Sequence, residues 1–357
     1  MKIGLVLGGG GFVGGAWLTG ALEALEDATG VLPPRFDHVV GTSAGAMIAA
    51  LTTSGVHPSR VPEGFGTGPV EGSDGVVRPV GTTLRLEHGL PRPLPGSVRL
   101  AIHAMRHPRQ HPVGVALAAL LPKGFISTAP LKEIVRRAAP SGWTSHKNLW
   151  LMACDLGTGK RVAFGREGAP AADLADAVAA SCAIPGFYCP VQIGGREYID
   201  GGVCSPSNLD VLRHSGLDLV VCFNPTSSLH RGSTWNVSSR IGDAYRGAAL
   251  AQLDREIAKL RASGTPVLAV HPTVEDLEVM GINLMAAGNL QAVSSVARRT
   301  VAAQLEMPEV RDFIQALGSL SASRPRRRPV VVGKRAAHPV RPRRGVVTVG
   351  ARALRTA

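Results

Sequence analysis

The chain has 357 residues, 45% of them hydrophobic, which is enough to bury a sizeable core and excludes a wholly disordered protein. Its formal net charge of +13 gathers at one end: residues 324–357 hold eleven Lys and Arg and no Asp or Glu, while residues 1–323 hold 28 basic against 26 acidic residues. No window offers eighteen uninterrupted apolar residues, so no bilayer-spanning helix is expected, and five cysteines without a Cys-x-x-Cys pair read as buried, reduced thiols of a cytoplasmic protein.

Ile3 to Leu7 is an apolar run of strand length, followed at once by Gly8-Gly9-Gly10-Gly11-Phe12-Val13-Gly14-Gly15. Ala16, Trp17, Leu18, Ala21, Leu22 and Leu25 then recur with a helical period. The glycine cluster interrupts the apolar run and no clean cleavage site follows, which argues for a core strand over a signal peptide. A glycine loop between strand and helix leaves backbone N–H groups uncovered, a setting that suits an anion. Gly9-x-Gly11-x-x-Gly14 fits the dinucleotide fingerprint, but Thr42 and Ser43 stand where that fold needs an acidic residue. The Gly-Lys-Ser/Thr that closes a P-loop is also missing. The oxyanion of acyl transfer is the anion that accounts for a serine on the next strand.

That serine lies in Gly41-Thr42-Ser43-Ala44-Gly45, between an apolar strand ending at Thr42 and the helical run Ala44 to Leu51. A serine nucleophile needs an exposed hydroxyl, a base and a stabilised oxyanion, and Gly-x-Ser-x-Gly between strand and helix meets the first need. The alternative is an ordinary strand-to-helix turn with Ser43 as N-cap.

Residues 56–98 are rich in Gly and Pro and read as a long loop or irregular lid, part of an insertion extending to about residue 124. Val98 to Leu121 is apolar with Arg99, Arg106, Arg109 and Lys123 around it. It reads as a core helix with a solvated basic flank, or as a membrane-surface element. His103, His107 and His111 recur every four residues, but Pro108 breaks their helix and no carboxylate or cysteine joins them, so no metal site is expected.

Beyond Phe125 a helix opens at Thr128-Ala129-Pro130, two strands flank Gly157-Thr158-Gly159, a helix runs from Ala171 to Cys182, and a hairpin turns at Gly194-Gly195. The hairpin ends in Asp200-Gly201-Gly202. Asp200 closes an apolar strand with no side chain after it to cover the carboxylate, which makes it a candidate general base; an ordinary Asp-Gly turn is the alternative. Strands at Leu217–Phe223 and Val267–Val270 then alternate with helices near 245–260 and 275–318. The alternation predicts an α/β fold, a three-layer, mainly parallel sheet flanked by helices over residues 1–320. From 321 the basic, proline-interleaved sequence is expected to be a disordered tail, suited to peripheral association with an anionic membrane. It lacks aromatic residues to stack on bases, so nucleic acid is not the expected partner.

The glycine loop, Gly41-Thr42-Ser43-Ala44-Gly45, Ala180-Ser181-Cys182-Ala183-Ile184-Pro185-Gly186-Phe187 and Asp200-Gly201-Gly202, in this order, resemble the patatin-like phospholipases over roughly residues 3–290. The resemblance implies that Ser43 is the nucleophile and Asp200 the base of a catalytic dyad, that amides at Gly9, Gly10, Gly11 and Gly14 form the oxyanion hole, and that Gly41, Gly45, Gly201 and Gly202 shape the turns. It implies a lipid ester substrate and no cofactor or metal. Val13 stands where family members usually carry Arg or Lys. A Ser-His-Asp esterase using His214, His230 or His271 is a rival within the enzymes, and a non-catalytic lipid- or nucleic-acid-binding module is a rival outside them.

Overall fold

The computed structural model describes residues 1–61, 69–71, 77–79, 96–106, 113–229 and 237–323. Most of the 56–98 loop and the whole tail from 324, with the disorder expected of it, fall outside the described residues.

The central sheet is built on β1 (Ile3–Leu7), β2 (His38–Thr42), β5 (Leu149–Asp155), β9 (Leu219–Phe223) and β10 (Val267–Val270), parallel in the order β10-β9-β1-β2-β5. β1 is buried at all five positions, as a parallel strand covered on both faces must be. Its side chains alternate. Ile3, Leu5 and Leu7 enter the larger core with helices α1 (Gly11–Thr29) and α2 (Ala44–Thr53), while Val6 enters a second core on the opposite face with Leu253 and Leu260 of α7 (Val237–Ala262). The expected three-layer, mainly parallel α/β architecture is what the chain adopts.

Three antiparallel strands extend the sheet: β6 (Arg161–Phe164), β7 (Val191–Ile193) and β8 (Arg196–Asp200). β2 pairs with β5 as far as Thr42 opposite Met152, and β8 takes over at the next residue, with Asp200 opposite Ala153. β6 pairs across Leu151–Cys154, overlapping both, so it occupies the other edge of β5. The ends of β2 and β8 therefore meet along one edge. A separate small hairpin joins β3 (Pro69–Glu71) and β4 (Val77–Pro79).

The other helices are α3 (Val98–Arg106), α4 (Val113–Leu120), α5 (Ala129–Ala138), α6 (Leu174–Ser181), α8 (Val274–Met280), α9 (Leu290–Leu305) and α10 (Arg311–Ser323). Several boundaries differ from the sequence reading, among them α7, which begins at Val237 rather than near 245, and α10, which runs to Ser323, past the expected start of the tail. α1 begins at Gly11 rather than near Ala16, because its glycine-rich first turn is held by packing: Pro225 lies against Gly10 and Gly14, and Val13 N–H donates to the Leu284 carbonyl at 3.1 Å. α6 begins at Leu174, where Asp173 caps it by accepting from Asp176 N–H at 2.6 Å. The apolar segment at 98–121 is two helices, with Pro108 between them.

Candidate active site

Ser43 joins β2 to α2 with φ 54° and ψ −120°, one of two non-glycine residues with positive φ among the described residues. Such a backbone is costly for a residue with a Cβ and persists where its surroundings hold it. Three contacts do so. Ser43 N–H donates to Ser181 Oγ at 2.9 Å, and that hydroxyl donates in turn to the Met152 carbonyl at 2.6 Å. Cys182 Sγ lies 3.2 Å from the Ser43 carbonyl. The turn also needs α2 tight against the sheet, and a Cβ at Gly45 would collide with the Leu7 carbonyl, while one at Gly41 would meet Gly45 and Ala46. Ser43 holds the N-cap position of α2, but its hydroxyl makes no capping bond to the helix.

Its side chain neighbours the carboxylate of Asp200 and favours the ionised form of that group. Asp200 is only 5% exposed, and burial raises its pKa to about 6 against the downward pull of Ser43 and of a hydrogen bond from Gly202 N–H at 2.7 Å. The turn reading of Asp200 holds, because its carboxylate caps the Gly201–Val203 turn, and it does so beside Ser43. Gly201 packs directly on the Met152 carbonyl, and a Cβ at Gly202 would lie 3.0 Å from Asp200 Oδ1. Asn208, in a left-handed conformation, ties the two strand ends together by donating to Thr42 Oγ1 at 3.0 Å and to the Ser205 carbonyl at 2.6 Å.

The glycine loop divides. Gly9 N–H donates to the Pro206 carbonyl and Gly14 N–H to the Gly10 carbonyl, each at 2.8 Å, so neither amide is available to an oxyanion. This corrects half of the expected set, since helix formation from Gly11 recruits the amide of Gly14. Gly9 instead leaves room, because a Cβ there would lie 3.3 Å from Ser43 Cβ. No acceptor is recorded for the amides of Gly10 and Gly11 among the described residues. Gly11, at φ +62°, lies on the Leu284 carbonyl and lines the same cleft as Ser43. Phe12, Met47, Leu131, Ile184 and Met285 give that cleft an apolar wall.

Val13 is 3% exposed within the main core and offers no room for a cation. A guanidinium does approach the loop from behind: Arg246 donates to the Pro225 carbonyl at 3.2 Å, and Pro225 packs on Gly10 and Gly14. Ser181 lies in a segment that the sequence already singles out, but nothing in the sequence marks Asn208 as tied to the end of β2 or Arg246 as backing the glycine loop. Of the histidines considered, His271 shares a 2.7 Å hydrogen bond with Ser227, and His230 lies outside the described residues. Neither His214 nor His271 lines the Ser43 cleft. No group of three His, Cys, Asp or Glu that could hold a metal occurs among the described residues.

Fold and site together define a class: a mainly parallel α/β protein whose second strand ends in a strained serine beside a buried carboxylate. The family model for patatin-like phospholipases matches residues 5–213, and the chain belongs to that family. Among solved structures it is similar to the type III effector protein ExoU, with 21% identity and a TM-score of 0.31 over 85% of this chain and 53% of that one. The chain thus spans about half the length of that structure.

Proposed function

We propose that the protein is a serine hydrolase of lipid acyl esters, of the phospholipase A or lysophospholipase type, working through Ser43 and Asp200 without a histidine. Ser43 Oγ attacks the ester carbonyl carbon while its proton passes to Asp200. The resulting oxyanion is held by the amides of Gly10 and Gly11, at the positive end of α1. Collapse of the tetrahedral intermediate expels the alcohol, which takes the proton from Asp200. Asp200 then deprotonates a water that attacks the acyl-serine, and it returns that proton to Ser43 Oγ as the fatty acid leaves. Every step uses groups of this chain, with no cofactor or metal.

The observation that carries this reading is a strained, buried serine beside a buried carboxylate whose pKa burial raises to about 6. Such a base is ionised at neutral pH yet more basic than a solvated carboxylate, the compromise a general base requires. The apolar cleft wall suits an acyl chain. The basic tail would add attraction to anionic membranes from the cytoplasmic side. Mass spectrometry after reaction with a fluorophosphonate tests the proposal. An adduct on Ser43, absent from Ser43→Ala, is expected; an unmodified Ser43 would overturn it.

A further inference from the structure

Among the described residues, eleven large hydrophobic side chains are exposed, and five of them, Val98, Ile102, Leu117, Leu120 and Leu121, belong to the helical pair α3–α4 and the residue that follows it. The pair is pinned at its base, where Gly96 N–H donates to the Leu121 carbonyl at 2.8 Å and Ser97 N–H to the Ala119 carbonyl at 3.0 Å. Its inner face, Leu100, Ala101, Val115 and Ala119, packs on Cys154, Ile199 and Cys204. Two short helices that already bury one apolar stripe have no core reason to carry another facing outward.

Charge and position point to what covers that outer face. From Gly96 to Gly124 the sequence holds Arg99, Arg106, Arg109 and Lys123 and no Asp or Glu. Lys123 is paired with Glu197 at 2.6 Å, and Arg106 is exposed at a recess that Val98, Ile102, Lys160, Arg196, Asp155 and Glu197 also line. A second copy docking on this face would set like charges against one another, whereas an anionic lipid surface complements both the cations and the leucines. The face also borders the cleft. A Cβ at Gly186 would touch the Leu121 side chain at 3.8 Å, and Ile184 and Tyr188, two residues to either side, line the Ser43 cleft.

We propose that α3 and α4 form the surface that docks the folded protein onto an anionic phospholipid interface. Leu117, Leu120 and Leu121 enter the acyl region beside the cleft, with Arg106 at the level of the phosphates. The proposal rests on the lipid-hydrolase reading but is tested separately, in the full chain, with vesicles of phosphatidylcholine alone or mixed with phosphatidylglycerol. Leu117→Trp is expected to show fluorescence quenching by acyl-brominated lipid, beyond that of the wild type, when phosphatidylglycerol is present. The double variant L117E/L120E is expected to bind the anionic vesicles about tenfold or more weakly while hydrolysing a soluble short-chain ester at the wild-type rate. Unchanged binding by the double variant with no added quenching would overturn the proposal, since another part such as the basic tail would then hold the vesicle. So would a wild-type dimer that L117E/L120E dissociates, which would assign the face to a second copy. If the hydrolase reading failed instead, Ser43 would resist the fluorophosphonate while the vesicle measurements still decided the docking surface.

Discussion

Ser43 and Asp200 face each other because the strands that carry them end against adjacent residues of a third, Thr42 opposite Met152 and Asp200 opposite Ala153. Ser181 braces the same junction by bonding both Ser43 N–H and the Met152 carbonyl. The placement of Ser43 beside Asp200 is thus a property of the edge of β5.

The proposed transfer of the Ser43 proton to Asp200 gives the first prediction. Ser43→Ala and Asp200→Asn should each abolish ester hydrolysis, and the double variant should be no worse than either, because residues that act as a unit fail together. In the wild type, log(kcat/KM) should climb with unit slope up to about pH 6, where Asp200 ionises, and level off above it. A profile flat down to pH 4.5 would assign the base to another group, as would loss of activity in His271→Ala with Asp200→Asn still active.

The same pKa makes a prediction about stability. Folding raises the pKa of Asp200 from the ordinary 3.8 to about 6, so the folded state holds this proton more tightly. The carboxyl favours the fold fully below pH 3.8, and that contribution is lost as pH rises through about 6. Asp200→Asn, which cannot ionise, should therefore be more stable than the wild type at pH 7 by roughly 3 kcal/mol, with the gain vanishing near pH 4. Urea unfolding at the two pH values measures it; an equal gain at both would refute the ionisation argument.

Ser181 offers a test of positioning. Ser181→Ala leaves the Ser43 amide without its acceptor in a buried site, which should cost roughly 1–3 kcal/mol of stability. It should also lower kcat more than it raises KM, since the strained serine loses a brace that aims its hydroxyl. Ser181→Thr, which keeps the hydroxyl, should recover part of kcat. A loss of stability with kcat untouched would leave Ser181 a purely structural role.

Val13 marks where the family comparison misleads. An arginine here would place a cation near the oxyanion by analogy, yet the side chain is 3% exposed in the core. Val13→Arg should destabilise the protein by several kcal/mol through an unpaired buried charge and overpacking, without a gain in turnover. Thermal unfolding and ester hydrolysis of the purified variant decide it. A stable variant with raised turnover would mean that the guanidinium escapes into the cleft.

The sequence by itself carries the strand order of the chemistry. Ile3–Leu7, His38–Thr42 and Leu149–Asp155 are legible as apolar runs because parallel strands are buried on both faces, and the serine turn and Asp-Gly-Gly are legible because tight turns admit few residues. Turn chemistry is local, so spacing reveals it. Which amides remain open is not local. Gly9, Gly10, Gly11 and Gly14 look alike in sequence, and only the approach of Pro206 to Gly9 and the start of α1 at Gly11 divide them. The surroundings of Asp200 are likewise not local, since its desolvation and its neighbour Ser43 come from residues far away in the chain, brought together where β8 ends beside β2. Leu100 and Leu117 are equally apolar in sequence, yet tertiary packing buries one and exposes the other, because a helix has two faces and only its neighbours decide which is covered.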